Sequence, residues 1–150
     1  MSHYYMGIDP GKSGGLAILD REGSVVCIHS FSTMTQADIA KTIGQLSFLY
    51  VIKRCGLEKV HSMPGQGVKS SFSFGENFGM LKGSLFSSFI PVELVTPTKW
   101  QKYLGCLTGG DKRVSKQKAQ ELFPKEKVTH AVADALLIAE YIRQIEHKRV

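Results

Sequence analysis

Residues 4–31, YYMGIDPGKSGGLAILDREGSVVCIHSF, contain three short runs that are typical of β-strands, joined by two tight turns. The run 4–9 is apolar and ends in an acid, 16–19 is apolar, and 24–31 is rich in β-branched residues. Residues 20–23, Asp-Arg-Glu-Gly, predict a hairpin turn. Because strands joined by short turns pair antiparallel, this stretch predicts a three-stranded antiparallel sheet.

The rest of the chain alternates between helical and strand-like patterns. Thr35 and Asp38 are typical of a helix start, and apolar residues every three or four positions predict a helix that Gly56 ends. The elements predicted after the first three strands are a helix from 36 to about 54, a strand over 57–63, a loop at 64–67, a helix with Phe74, Phe78, Leu81 and Leu85 on one face, a strand over 92–95, and helices over 112–122 and 130–146. The order βββ-α-β-α-β-α-α predicts a single α/β domain over residues 1–150.

Composition narrows the class of protein. The 150 residues are 43% hydrophobic and carry a net charge of +6, which indicates a globular chain with a modest preference for polyanionic partners. No apolar run approaches the ~20 residues of a membrane span, and residues 1–12 lack the apolar core of a signal peptide. Three cysteines without CxxC spacing indicate free thiols in a reducing compartment. We therefore expect an intracellular, cytoplasmic protein with no membrane partner.

Three acids lie where the sequence is otherwise small or apolar. Asp9 ends the first strand, Glu58 lies in an apolar strand, and Asp134 lies in an Ala- and Leu-rich helix. Burying lone carboxylates is expensive, so one multivalent cation shared by all three would explain them, and ligation by oxygen alone favours Mg²⁺ or Mn²⁺. Taken singly, Asp9 also suits a turn former, Glu58 the solvent face of a strand, and Asp134 a cap or ion pair.

Two further features accompany the acids. His130 precedes Asp134 by four residues and so shares its helix face, where it is either a fourth ligand or a residue without a role. Residues 7–13 resemble a phosphate-binding P-loop, but the glycines are one residue too close and a strand-like run follows instead of a helix. We therefore expect no nucleotide cofactor, although Lys12 and Ser13 are placed to contact a phosphate.

Five segments together resemble a known family. MGIDPGKSGGLAIL, GLEKVHSMPGQGVKSSFSFGENFGMLKG, VELVTPTKWQKYLG, SKQKAQELFP and HAVADALLIAEYI resemble the RuvC-type Holliday junction resolvases of the ribonuclease H-like superfamily. The resemblance is strongest to the compact branch found in phages, bacteria and plant chloroplasts. The segments occur in the family's order and span nearly the whole chain.

This resemblance implies a ribonuclease H-like fold: a five-stranded mixed sheet, three antiparallel strands first, flanked by helices. It implies a homodimer that resolves four-way DNA junctions by paired, metal-dependent phosphodiester hydrolysis and leaves 5′-phosphate ends. Two Mg²⁺ ions per active site are implied, with Mn²⁺ as a substitute. By motif position Asp9, Glu58 and Asp134 become the catalytic and metal-binding acids. Many relatives carry another Asp upstream of the last acid; this chain has His130 there, which becomes the fourth ligand.

Cations near the acids are needed because carboxylates repel DNA. Lys12, Lys112, Lys116 and Lys118 are the predicted phosphate contacts, and His61 occupies a position suited to stacking on unpaired bases at the junction centre. Alternative functions are a broader ribonuclease H-like nuclease acting on flaps or other branched DNA, and a basic DNA-binding module without activity. An actin-like ATPase is disfavoured because the chain lacks the second half of such a nucleotide cleft. We expect the compartment to be the cytoplasm of a bacterial or phage-infected cell, with a eukaryotic organelle as the alternative.

Overall fold

A computed structural model of the chain describes residues 2–59 and 64–149. Strands and helices alternate after an initial run of three strands. The elements are β1 (Tyr4–Asp9), β2 (Gly15–Leu19), β3 (Val25–Ser30), α1 (Gln36–Leu49), β4 (Ile52–Glu58), α2 (Val68–Ser87), β5 (Val92–Val95), α3 (Pro97–Tyr103), α4 (Lys112–Leu122) and α5 (His130–Lys148).

The strands form one mixed sheet in the order β3-β2-β1-β4-β5. β1 pairs antiparallel with β2, and β2 pairs antiparallel with β3, as the hairpin pattern predicts. β4 lies parallel to β1 on its other side, and β5 lies parallel to β4. The carboxyl ends of β1, β4 and β5 therefore meet at one edge of the sheet.

The boundary between α1 and β4 differs from the sequence-based prediction. α1 ends at Leu49 instead of about residue 54, and Tyr50 is already extended, with φ −130° and ψ 137°. Residues 52–58 instead pair with the central strand β1, so Gly56 lies inside a strand and does not end a helix. Tertiary pairing thus overrides a helical apolar pattern that continues one turn too far. Glu58 ends this strand, and the predicted continuation over 60–63, including His61, lies outside the described residues.

The carboxyl-terminal third of the chain contains one helix that the sequence pattern did not predict. α3 is only seven residues long, begins with Pro97 at its first position, and buries Trp100 completely. α4 has the predicted bounds, and α5 begins at His130 as predicted but continues two residues further, to Lys148. A helix of two turns has too few apolar repeats to stand out in sequence.

The sheet separates two apolar cores. One core lies between the sheet and α1 and α2; the other is built largely from α5, with contributions from α3 and α4. α5 crosses the sheet at very short range because Gly7 in β1 and Gly56 in β4 have no side chains. A Cβ at Gly7 would lie 2.2 Å from the carbonyl oxygen of Ala135, and one at Gly56 would lie 2.6 Å from the side chain of Ile142.

Ion pairs hold the far end of α5. Glu146 is buried and accepts hydrogen bonds from Arg54 on β4 and from Arg149, and Arg54 Nε lies 2.6 Å from Glu146 Oε1. Arg149 also donates to Glu93 of β5. The carboxyl-terminal end of α5 is therefore tied to the sheet edge opposite the carboxyl ends of the parallel strands.

Two expectations from composition can be compared with this structure. Cys27, Cys55 and Cys106 are all free, as the absence of paired spacing predicts. Burial raises the pKa of Cys27 to about 11, so its thiol stays protonated at neutral pH. No helix within residues 2–59 and 64–149 is long and apolar enough to cross a membrane.

Candidate active site

Strand pairing brings two of the predicted acids together. Ile8 of β1 lies opposite Leu57 of β4, so Asp9 and Glu58, one residue further along each strand, are neighbours at the carboxyl edge. Ile8 and Leu57 belong to the core on the α1 and α2 side of the sheet. Because side chains alternate along a strand, Asp9 and Glu58 point to the opposite face, toward α5.

α5 supplies the third acid to the same edge. Its amino-terminal turns pass over the sheet near Gly15, where a Cβ would lie 2.9 Å from the carbonyl oxygen of Ala131. Asp134 and His130 line one polar cavity of about 280 Å³ together with Asp9. His130 is exposed, whereas Asp134 is half-buried. The predicted convergence of acids from β1, β4 and α5 is thus present, with His130 at its rim.

Burial and mutual repulsion perturb all three acids. Burial, followed by the charges of Glu58 and Asp134, raises the pKa of Asp9 to about 8. Burial also raises the pKa of Glu58 to about 7, against the opposing effect of its hydrogen bond from Trp100. Burial raises the pKa of Asp134 as well, and the Ser115 hydroxyl and the charges of Lys112 and His130 oppose that rise. All three shifts have the same sign, so burial and mutual repulsion oppose the simultaneous ionisation of these acids.

Two uncharged side chains hold the acids in place. The indole Nε1 of Trp100 donates a 2.8 Å hydrogen bond to Glu58 Oε2, which orients this carboxylate from the α3 side. Ser115 is buried, lines the acid cavity, and lies against the Asp134 carboxyl group while donating to the backbone carbonyl of Lys112. Glu58 and Asp134 thus each have an uncharged polar neighbour that restricts their orientation.

Sequence reasoning did not identify Trp100 or Ser115 as site residues. Trp100 is the only tryptophan in the chain, and it lies five residues after β5, the neighbour of the strand that carries Glu58. That position is the signal that points to Trp100 in retrospect. Ser115 gives no such signal, because a serine in a Lys-rich helix is typical of a solvated surface.

The predicted phosphate contacts lie at different distances from the acids. Lys112 begins α4, lines the acid cavity, and lowers the pKa of Asp9, Glu58 and Asp134 by its charge. Lys12, in the β1–β2 turn, lines a separate cavity on the other side of that turn. Lys116 and Lys118 are half-buried on α4 and do not line the acid cavity. Lys112 therefore lies at the acids, whereas Lys12 lies on the other side of the β1–β2 turn from them.

The donor chemistry of the edge fits a divalent cation: three partly buried carboxylates with Lys112 as the cation that acts on all of them. As the side chains stand, however, no group of three or more His, Cys, Asp or Glu residues in the described part of the chain is arranged to hold a metal ion. Asp9 and Glu58 lie within hydrogen-bonding reach of each other. Carboxylate oxygens at that separation could both bind one divalent cation once both groups are ionised.

Comparison with solved structures identifies the architecture. RuvC from Thermus thermophilus, in complex with a Holliday junction substrate, superposes with a TM-score of 0.71 over 98% of this chain and 96% of that chain, at 15% sequence identity. The chain has the fold of RuvC. A second Thermus thermophilus RuvC structure gives a TM-score of 0.63 over 99% of this chain and 97% of that chain, at 13% identity. A scan against models of protein families and a search of curated proteins give no match.

The likeness to RuvC confirms the expected fold class, a mixed five-stranded sheet of the ribonuclease H type whose first three strands are antiparallel. It extends over nearly the full length of both chains, so no large insertion or deletion separates them. At 13–15% identity the likeness shows the fold alone, and the role of each residue at the carboxyl edge rests on this chain's own geometry.

Proposed function

We propose that this protein is a metal-dependent endonuclease that resolves four-way DNA junctions by phosphodiester hydrolysis. The observation that carries the proposal is the convergence of Asp9, Glu58 and Asp134, with raised pKa values, at one edge of a RuvC fold. Buried like charges destabilise a protein, so three at one edge indicate a site that awaits a cation. The RuvC of similar fold was solved with a Holliday junction substrate.

The three carboxylates are the residues that would hold Mg²⁺ or Mn²⁺, two ions per site, with His130 as an additional ligand at the rim. When bound, such ions would activate water as a nucleophile at neutral pH and stabilise the leaving 3′ oxygen, so that the phosphate stays on the 5′ end. The chain itself orients the ligands: Trp100 holds one oxygen of Glu58. Lys112 offsets the negative charge that would otherwise repel the DNA backbone.

The DNA surface that we propose consists of Lys12, Lys112, Lys116 and Lys118. Lys12 and Lys112 flank the acid cavity from opposite sides, in the β1–β2 turn and at the start of α4. Lys116 and Lys118 lie on the next turns of α4. Cations on both sides of the acids would hold the phosphates on either side of the scissile bond.

A two-fold dimer is the assembly we propose, since a symmetric junction has two strands to cut. One face of α2 supports it, because that face is apolar along about 27 Å of helix and exposed. The glycines on this face have no atoms within 4 Å of an added Cβ, although glycine inside a helix is unfavourable by ~1 kcal/mol relative to alanine. This α2 stripe consists of Val68, Phe72, Gly75, Gly79, Gly83 and Phe86. A second α2 packed against it would bury the apolar side chains and explain the glycines.

The decisive experiment is incubation with a synthetic four-way junction and Mg²⁺ or Mn²⁺, with duplex and flap DNA as controls. We expect paired, symmetric nicks confined to the junction, none with Asp9→Asn, and wild-type cutting by Glu22→Gln, which changes an exposed acid in the β2–β3 turn. Asp9→Asn should still bind the junction, because it removes none of the lysines of the proposed DNA surface. Nicking by Asp9→Asn would contradict the site assignment, and equal cutting of flaps would favour the broader nuclease. Sedimentation of the wild-type protein as a monomer would contradict the dimer.

A further inference from the structure

A group of large apolar side chains is exposed at the edge of the sheet opposite the acids. Phe48 and Leu49 end α1, Val51 precedes β4, and Phe89 lies in the connection between α2 and β5. Phe48 is 92% exposed and Phe89 is 93% exposed. These four residues are called the far-edge patch below.

Buried neighbours place the far-edge patch at one end of a single core. Leu46, Ile52 and Ile90, each within two residues of the patch, belong to the core between the sheet and α1 and α2. The backbone nitrogen of Cys55 also donates to the carbonyl oxygen of Pro91, which ties the start of β4 to the start of β5. Two almost fully exposed Phe side chains present roughly 300–450 Å², and the largest apolar patch of a typical monomer, ~300–600 Å², is often functional.

Phe89 occupies a backbone position that favours glycine. Its φ is 56°, and it is the only non-glycine residue with positive φ in the described part of the chain. The Ile90 N–H donates to the Leu85 carbonyl, and the Phe89 N–H donates to the Phe86 carbonyl, which are the two hydrogen bonds of a Schellman motif at the end of α2. Because the Phe89 ring is almost wholly exposed, packing within the chain does not offset this strain. A contact outside the chain accounts for the ring.

α1 has a hollow beside Phe48. Gly44, Gln45, Phe48 and Leu49 line a cavity of about 460 Å³ on the surface of this helix. Nothing lies within 4 Å of a Cβ added to Gly44. Residues on neighbouring turns of one helix form the hole that receives a side chain of a second helix, and a glycine among them lets that helix come close. The shape of this surface therefore favours a helix as its occupant.

The charges around the patch are positive. Residues 39–57 and 77–92, which include the carboxyl-terminal parts of α1 and α2 and the connections that follow them, contain no Asp or Glu but three lysines and one arginine. In the described part of the chain that arginine, Arg54, is in a salt bridge, whereas the three lysines are in none. Lys41 lies seven positions before Phe48 and so on the same face of α1. These surroundings complement a partner with acidic residues beside its apolar ones.

We propose that the far-edge patch is a docking site for an amphipathic helix of a partner protein, with large apolar side chains along one face and Asp or Glu on both sides of that face. One apolar side chain enters the hollow at Gly44, and others cover Phe48 and Phe89. Because the patch and the acids lie at opposite edges of the sheet, this partner binds without displacing DNA. The docking site does not depend on the nuclease function proposed above.

The first test is fluorescence anisotropy in EDTA, without DNA, using a labelled helical peptide of about 18 residues, or five turns. The peptide has Leu at every third or fourth position, Glu beside the Leu face and Ala elsewhere. We expect Phe48→Ser to weaken binding about tenfold or more, the effect of losing one buried Phe side chain. Leu107→Ser, which changes an exposed apolar residue in the α3–α4 connection, should leave binding unchanged. No binding at millimolar peptide, equal weakening by both variants, or equal binding of a peptide with Lys in place of Glu overturns the proposal.

A second variant, Phe89→Gly, separates the ring from the stability of the fold. Glycine relieves the left-handed backbone, so the Tm should rise by about 2–4 °C while peptide binding weakens about tenfold. An unchanged peptide affinity, or a Tm that does not rise, contradicts the role given to Phe89. Conversion of a wild-type dimer to a monomer by Phe48→Ser assigns the patch to a second copy of this chain. Binding to phosphatidylserine vesicles but not to the peptide assigns the patch to a lipid surface, and either result overturns the proposal.

Discussion

Replacing Gly7 by alanine tests whether the close contact between β1 and α5 builds the active site. A Cβ on Gly7 would lie 2.2 Å from the carbonyl oxygen of Ala135 and 2.4 Å from the backbone nitrogen of Ala139. Both atoms belong to the α5 backbone, so no side-chain rotation relieves the overlap. α5 has to move away from the sheet.

The size of that movement sets the expected effect. Because Cβ contacts below 3.0 Å essentially never occur, α5 must retreat by about 0.8 Å near Ala135. Overpacking a core costs roughly 1–3 kcal/mol, and a clash against backbone belongs at the upper end. For a chain of this size that lowers the Tm by about 6–12 °C. Asp134 neighbours Ala135 and moves with it, and a displacement of ~1 Å in a catalytic group reduces the rate by about 10²-fold.

The assays are thermal unfolding followed by circular dichroism in EDTA, and single-turnover junction cleavage well below the Tm of the variant. Gly44→Ala is the matched control, because Gly44 lies inside α1 with nothing within 4 Å of an added Cβ. That variant should gain up to ~1 kcal/mol of stability from helix propensity and cleave like the wild type. A folded Gly7→Ala protein with an unchanged Tm and cleavage rate would refute the reasoning that this contact positions Asp134.

Three further perturbations probe single interactions. Burial raises the pKa of Glu146, but its arginine partners outweigh burial and hold that pKa below the ordinary value. The stability that this carboxylate contributes is therefore present above pH ~4.3 and lost as pH falls through the folded pKa. Glu146→Gln should lower the free energy of unfolding in urea by about 1–3 kcal/mol at pH 7 and by much less near pH 3. Equal reductions at the two pH values would contradict this linkage. Trp100→Phe removes the hydrogen-bond donor to Glu58. It should raise the Mg²⁺ concentration needed for half-maximal cleavage about tenfold, which corresponds to the low end of the free energy of a hydrogen bond to a charged group. An unchanged Mg²⁺ requirement would show that Trp100 is not part of the site. Lys112→Gln should reduce the slope of log affinity against log salt concentration by about 0.9, as one lost phosphate contact does, and an unaltered slope would argue against that contact.

Local patterns in the sequence were sufficient where short-range interactions decide the structure. The hairpin strands, the capping box of Thr35 with Asp38, and the bounds of β5 and α4 all follow from neighbouring residues. The predicted boundary between α1 and β4 was wrong because residues 52–58 pair with β1, which lies almost fifty positions earlier in the chain. α3 was missed because its stability comes from burying Trp100 against the rest of the fold.

By itself, the sequence determined the identity of the acids, since Asp9, Glu58 and Asp134 each contradict the apolar pattern around them. It also determined the order of the strands and of every helix except α3 and, through the motifs, the fold. Only the tertiary structure decided that these acids share one edge, that Trp100 and Ser115 lie against two of them, and that a second cavity lies across the β1–β2 turn from them. The physical reason is that propensity and periodicity act within one element, whereas a site at a sheet edge depends on strand register and on glycines that let α5 approach.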